Sequence, residues 1–138
     1  PPRSTLFPYT TLFRSRSILW SKELAGYAFD SITSASGVLY IQAKDIYAID
    51  PNTSKTLWQI SSKSPEGFCR GPIAFAENTL YATEQNGRLI STNLQNGTLI
   101  KEFEFKETVR NPLTLFADTL FISTTQKRIY AVNTNKFK

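Results

Sequence analysis

Residues 39–58 read LYIQAKDIYAIDPNTSKTLW. Three short segments rich in Tyr, Ile, Leu and Thr alternate here with polar stretches of Asp, Asn, Pro and Ser, which is the pattern of β-strands joined by turns. Asp50-Pro51-Asn52 is a proline-started turn at the end of the second segment. None of the three segments has a helical period. The stretch therefore predicts three consecutive antiparallel strands.

The same series recurs along the chain. Leu39, Leu80 and Leu120 lie in the first segment of each copy and are spaced about 40 residues apart. The second segment recurs at 46–50, 89–93 and 129–133, and the third at 55–58 and 97–100. Residues 17–20, which read SILW, are similar to the third segment and suggest the remnant of an earlier unit.

A fourth apolar segment precedes each series, at 32–35, 72–76 and 112–117, and is predicted to be the innermost strand. Four short strands at this period are typical of a β-propeller, with one blade per repeat. We therefore predict an all-β fold, a partial β-propeller of about two and a half to three four-stranded antiparallel blades. The blades are expected at 31–60, 71–105 and 112–138, the last without its outer strand.

An open propeller of this kind exposes apolar strand faces at both ends, which favours association. The alternative is a small closed barrel or sandwich, which buries both ends and behaves as a monomer.

The quoted stretch resembles the PQQ-like repeat, in which a "lyv…g.lyAlD..tGk.lW" pattern runs across the last three strands of a blade. The second unit departs from this pattern at Ser91, Asn93 and Lys101, where the family has Ala, Asp and Trp. The family includes quinone-dependent alcohol and sugar dehydrogenases, which carry a catalytic aspartate and a calcium site. It also includes non-catalytic scaffolds whose blade rims and loops bind polypeptide.

The resemblance implies a non-catalytic protein-binding scaffold with a BamB-like role in outer-membrane protein assembly, in a periplasmic or outer-membrane-associated location. One alternative is a fragment of a dehydrogenase that uses PQQ and calcium, and another is the lumenal sensing propeller of a eukaryotic stress kinase. We favour a binding module over an enzyme because the chain has no histidine, one cysteine and no clustered carboxylates. No cofactor is predicted for the residues given.

No catalytic, cofactor-binding or metal-ligating residue is predicted. The absence of histidine excludes Ser-His-Asp and Cys-His catalysis and histidine metal sites in this chain. Trp20 and Trp58 are predicted to be structural, because an indole on an outer strand can lie across the gap to the next blade. Asp50 is interpreted as a turn-former, and Cys69 as a buried thiol.

Residues 1–15, PPRSTLFPYTTLFRS, resemble nothing that follows them. They match without interruption a translation of the adapter ligated to short-read sequencing libraries, so we interpret them as a contaminant outside the fold, which is assigned to residues 16–138. The alternative is a native arm anchored by Phe7, Tyr9 and Phe13.

The charge pattern does not indicate a nucleic-acid partner. The formal net charge of +5 falls to +3 when Arg3 and Arg14 are set aside with the adapter-like segment. Basic and acidic residues are interleaved, as at 101–107, which is typical of a solvated strand face. No apolar run approaches the roughly 20 residues of a membrane helix.

Overall fold

The computed structural model describes residues 17–25 and 32–137, and the structural statements below concern these residues. Their strands form three separate antiparallel sheets, each of which is one blade. The bounds are β1 (Ile32–Ala35), β2 (Val38–Gln42), β3 (Ile46–Ile49) and β4 (Thr56–Ile60) in the first blade; β5 (Ala74–Ala76), β6 (Thr79–Thr83), β7 (Arg88–Asn93) and β8 (Leu99–Glu104) in the second; and β9 (Thr114–Phe116), β10 (Thr119–Ser123) and β11 (Ile129–Asn133) in the third. A 3-10 turn, Thr134–Lys136, follows β11.

The predicted all-β partial propeller is confirmed. In each blade the strands pair in chain order, and the third blade has three strands where the first two have four. The sheets stay separate and do not close on themselves, so the alternative of a small barrel is wrong. No helix in the described part of the chain is long and apolar enough to cross a membrane.

A side-chain hydrogen bond repeats in the turn after each third strand. The Asp50 carboxylate accepts from the backbone N–H of Asn52 at 2.8 Å, and Asn93 accepts in the same way from Gln95 at 2.8 Å. Asn133 makes the same bond at the start of the 3-10 turn. Such local bonds set the chain reversal. The interpretation of Asp50 as a turn-former is confirmed.

The blades stack face to face, and one position in each second strand shows how. Tyr40, Tyr81 and Phe121 occupy this position, on the face that we call the forward face because it points toward the following blade. Tyr40 is 2% exposed, and its hydroxyl donates to the carbonyl of Leu94 in the second blade at 3.1 Å. Tyr81 is buried in the cluster between the second and third blades. Phe121 is 38% exposed, because no described residue covers that face of the third blade.

The two tryptophans take equivalent places against neighbouring blades. Trp58 on β4 lies on Gly97 in the β7–β8 turn, so close that a Cβ on Gly97 would be 2.8 Å from the indole Cε3. Trp20 donates from its indole N–H to the carbonyl of Pro51 at 2.8 Å, in the corresponding turn of the first blade. Both rings are half-buried. Their predicted structural role is confirmed.

The innermost strands of the second and third blades are shorter than predicted. They were expected at 72–76 and 112–117, but β5 and β9 have three residues each. Pro72 and Pro112 lack an N–H for the sheet ladder, and Ala117 has a φ of 55°, which places it in the turn.

The start of the described chain also differs from expectation. Residues 17–20 form no strand. Trp20 and Leu24 nevertheless pack against Ile41 and Ile49, on the face of the first blade opposite its forward face, so this face is covered, whereas the forward face of the third blade is not. The interpretation of residues 1–15 lies outside the described residues.

Candidate functional site

An apolar groove of about 320 Å³ opens between the outer strands of the second and third blades. We call it the aromatic groove. It is lined by Leu89, Phe103, Phe105, Tyr130, Ala131, Val132 and Phe137. Alternate residues of a strand point to the same side, so β8 and the residue after it present Phe103 and Phe105 together toward the third blade. Phe103 is 54% exposed and forms the accessible wall.

One residue on the strand that carries Phe103 departs from the repeat. Trp58 lies opposite Ala48 in the first blade, and Lys101 lies opposite Ser91 in the second, so Lys101 holds the position of the indole. Its ammonium donates to the carbonyl of Lys136 at 2.9 Å and so crosses to the third blade. A tryptophan would bury about 150–250 Å² of surface here. Lys101 is smaller than an indole and does not line the groove.

Aromatic rings inside the groove hold one another in place. Phe103 and Phe105 pack edge to face, with ring centroids 5.1 Å apart and planes at 75°. Phe105 in turn lies 4.7 Å from the ring of Tyr130 in the third blade. Such pairs add about 0.5–1.5 kcal/mol each beyond the area that they bury. The groove wall is therefore pre-formed.

Tyr130 joins the groove to a carboxylate at the junction of the second and third blades. Its hydroxyl donates to Glu107, which also accepts from the Thr124 hydroxyl at 2.8 Å and from the Arg128 guanidinium at 3.1 Å. The hydrogen bond from Tyr130 lowers the pKa of Glu107, and the same bond raises the pKa of Tyr130. At neutral pH the carboxylate is therefore ionised and the phenol protonated, which holds the ring on the groove wall.

A second carboxylate anchors the junction of the first and second blades. Glu84 is fully buried, and it accepts from the Ser62 hydroxyl and from the N–H of Ser64 at 3.0 Å, both in the segment after β4. Its other oxygen lies 2.6 Å from the Arg88 guanidinium, which also pairs with Glu102 at 2.9 Å. The hydrogen bond from Arg88 lowers the pKa of Glu102. These groups satisfy one another, which indicates a structural role.

The single cysteine is a buried thiol, as predicted. Cys69 is fully buried, and its Sγ donates to the carbonyl of Val109 at 3.3 Å. Burial raises the pKa of the thiol to about 11. The thiolate, which is the reactive form, is therefore scarce at neutral pH.

Within 17–25 and 32–137, no three His, Cys, Asp or Glu side chains are grouped so that they could hold a metal ion. Glu84 and Glu102 are paired with the guanidinium of Arg88. The negative charges of Glu84 and Glu102 are therefore balanced by a side chain of the protein itself.

Sequence reasoning predicted no site residue and missed the aromatic groove. The one sequence feature that pointed to this region was Lys101, which stands where the repeat has a tryptophan. Phe103 and Phe105 were seen only as part of a solvated, charge-interleaved strand. Their neighbours in the groove lie on another blade, beyond the reach of any local pattern.

Comparisons with known proteins agree with this architecture. The sequence model of the family described as outer membrane protein assembly factor BamB matches residues 42–136. No curated protein matches the chain significantly in sequence.

Solved structures share the fold. BamB from Moraxella catarrhalis is similar with a TM-score of 0.57 and 22% identity, over 71% of this chain and 31% of that chain. Quinohemoprotein alcohol dehydrogenase from Comamonas testosteroni has a TM-score of 0.68 and 18% identity, over 78% and 19%. The computationally designed Ika4 protein has a TM-score of 0.59 and 12% identity, over 74% and 63%. The chain therefore spans less than two thirds of each of these proteins.

Proposed function

The chain belongs to the family described as outer membrane protein assembly factor BamB, and on this basis we propose that it is a non-catalytic scaffold that binds polypeptide in the aromatic groove. The observation that carries the proposal is the groove itself, a pre-formed apolar cleft of about 320 Å³ with a half-exposed phenylalanine wall. Binding pockets begin at about 300 Å³ and are lined mainly by apolar and aromatic side chains. The groove has room for an apolar side chain of a peptide.

The proposed ligand is an extended segment in which apolar and polar residues alternate. Strands of outer-membrane barrels have this pattern over about ten residues and carry aromatic residues at their ends. An apolar side chain of such a segment would enter between Phe103 and Val132, which both line the groove. Rigid aromatic walls lose little conformational entropy on binding. The proposal needs no cofactor.

Location and partner class follow from the same proposal. We propose an extracytoplasmic protein, periplasmic or outer-membrane associated, which is supported by the family's description as an outer-membrane assembly factor. Its partners are proteins and not nucleic acids, which is supported by the interleaved charges at 101–107.

The test measures, by fluorescence anisotropy, the binding of a fluorescently labelled ten-residue peptide in which aromatic and polar residues alternate. Phe103→Ser should weaken binding about tenfold, because loss of an aromatic contact at a binding surface costs about 1–2 kcal/mol. Phe103 is half-exposed, so the fold should tolerate the change.

The matched control is Ile100→Ser. Ile100 lies on the same strand, is 42% exposed and does not line the groove. Equal affinities of both variants and the unchanged protein would contradict the proposed site, and a scrambled polar peptide that binds as well would contradict the ligand class.

A further inference from the structure

A second cleft, of about 240 Å³, lies between the first two blades, both of which have all four strands. We call it the turn crevice, because residues of the β1–β2, β5–β6 and β7–β8 turns line it together with residues of β2 and β4. Its polar lining residues include Glu77, Asn78 and Gln95, which are all exposed. The turn crevice therefore combines an apolar wall with a polar rim.

Two aromatic rings of the first blade belong to the apolar wall. The ring centroids of Tyr40 and Trp58 are 5.8 Å apart, and the ring planes are inclined at 44°. The Tyr40 hydroxyl donates to the carbonyl of Leu94 at 3.1 Å, and Trp58 lies on Gly97, so both rings are fixed against the second blade. Aromatic ring faces attract cations, and tryptophan does so most strongly.

The polar rim is complementary to a cation. Glu77 supplies a carboxylate, and the side-chain amides of Asn78 and Gln95 supply further acceptor oxygens. None of the described residues that line the crevice is basic. A protonated amine has three hydrogen-bond donors and no acceptor, so it fits this rim better than an anion does.

The junction of the second and third blades gives an internal precedent for an ammonium at this place. There Lys101 holds the strand position of Trp58, and its ammonium donates to the carbonyl of Lys136 at 2.9 Å. Lys136 lies in the turn after β11, which corresponds to the turn after β7 that contributes Gln95 to the crevice. The chain thus already places a lysine ammonium against this turn at one of its two junctions.

The size of the crevice limits its occupant to one side chain. Pockets for drug-sized ligands begin at about 300 Å³, and this crevice is smaller. A lysine side chain places its apolar stem along an apolar wall and keeps the ammonium at a polar rim. We propose that the turn crevice binds a lysine side chain of a partner polypeptide, with the stem against Tyr40 and Trp58 and the ammonium beside Glu77. This site goes beyond the proposed function, because it lies at another junction and takes a charged residue.

The test is a titration of the isotope-labelled protein with Nα-acetyl-lysine N-methylamide, followed by NMR. We expect shifts at the indole N–H of Trp58 and at the backbone N–H groups of Asn78 and Gln95. A ligand of about 14 non-hydrogen atoms should bind with a Kd of about 1 mM. The norleucine analogue has an apolar stem without the ammonium and should bind at least about fivefold more weakly.

The first variant removes the charge of the rim. Glu77→Gln keeps the shape of an exposed side chain and should raise the Kd of the lysine probe about two- to fivefold, the range of an exposed ion pair. The matched control is Glu104→Gln, at an exposed carboxylate on β8 that does not line the crevice. This control should bind the probe as the unchanged protein does, and so should Phe103→Ser, which alters the aromatic groove.

The second variant removes the ring. Trp58→Leu keeps an apolar wall without the aromatic face, so it should weaken the lysine probe about threefold and the norleucine probe less. Equal weakening of both probes would show a structural effect only. Trp58 packs on Gly97, so Glu77→Gln decides the case if the tryptophan variant unfolds.

Three results would overturn the proposal. They are the absence of shifts at all three N–H groups, equal affinities of the lysine and norleucine probes, and an affinity for lysine that Glu77→Gln leaves unchanged. Tighter binding of methyl glucoside than of the lysine probe would also overturn it, since the crevice would then prefer a neutral polar ligand.

Discussion

Replacing Glu84 with alanine should destabilise the protein by about 3 kcal/mol. The carboxylate is fully buried and accepts from the N–H of Lys63 at 2.5 Å and of Ser64 at 3.0 Å, and it pairs with Arg88 at 2.6 Å. Breaking a buried ion pair costs about 3–5 kcal/mol, because the remaining charge loses its partner. The lower end applies here, since Arg88 keeps Glu102 at 2.9 Å.

The assay is urea unfolding, with thermal unfolding as a second measurement. At this chain length, 3 kcal/mol corresponds to a fall in Tm of about 10 °C, and the urea m-value should not change. Glu84→Gln keeps the shape and one acceptor oxygen, so it should lose less, about 1–2 kcal/mol.

The matched control is Glu23→Ala, at an exposed carboxylate distant from this network, which should change stability by less than about 0.5 kcal/mol. The reasoning is refuted if Glu84→Ala is no more destabilising than this control, since Glu84 would then not link the first two blades.

The remaining predictions concern pH, packing and cofactor binding. The hydrogen bond from Tyr130 lowers the folded pKa of Glu107. The stabilisation by this bond is therefore complete above the unfolded pKa of about 4.3 and is lost as the pH falls through the folded pKa. Glu107→Gln should flatten the fall of Tm below about pH 5, and an unchanged slope would contradict this role of Glu107. Gly97→Ala places a Cβ 2.8 Å from Trp58 and should cost about 1–3 kcal/mol, more than Gly37→Ala, which has a similar positive φ but no atom within 4 Å; equal losses would show that packing is not the cause. Calorimetry with PQQ and calcium should show no binding, and dye-linked alcohol oxidation by the loaded protein would instead favour the dehydrogenase alternative.

The strands, turns and repeat could be predicted because each depends on neighbours in the chain. Asp50 accepts a hydrogen bond from the N–H of Asn52, two residues away, so the turn can be predicted from the local sequence. The apolar segments at Leu39, Leu80 and Leu120 recur in three sheets of the same topology, which is why one quoted stretch leads to the whole architecture.

The contacts between blades are determined by how the blades stack in the tertiary structure. Glu84 reaches a donor 20 residues away at Ser64, and Lys101 bonds Lys136 at a separation of 35. The repeat pattern marks Lys101 as a departure, but no local pattern gives the partner of Lys101 or of Glu84. The aromatic groove likewise depends on Phe103 meeting the rear face of the following blade. Burial and hydrogen bonding across a junction between blades involve two surfaces that are distant in the sequence, so neither surface predicts them alone.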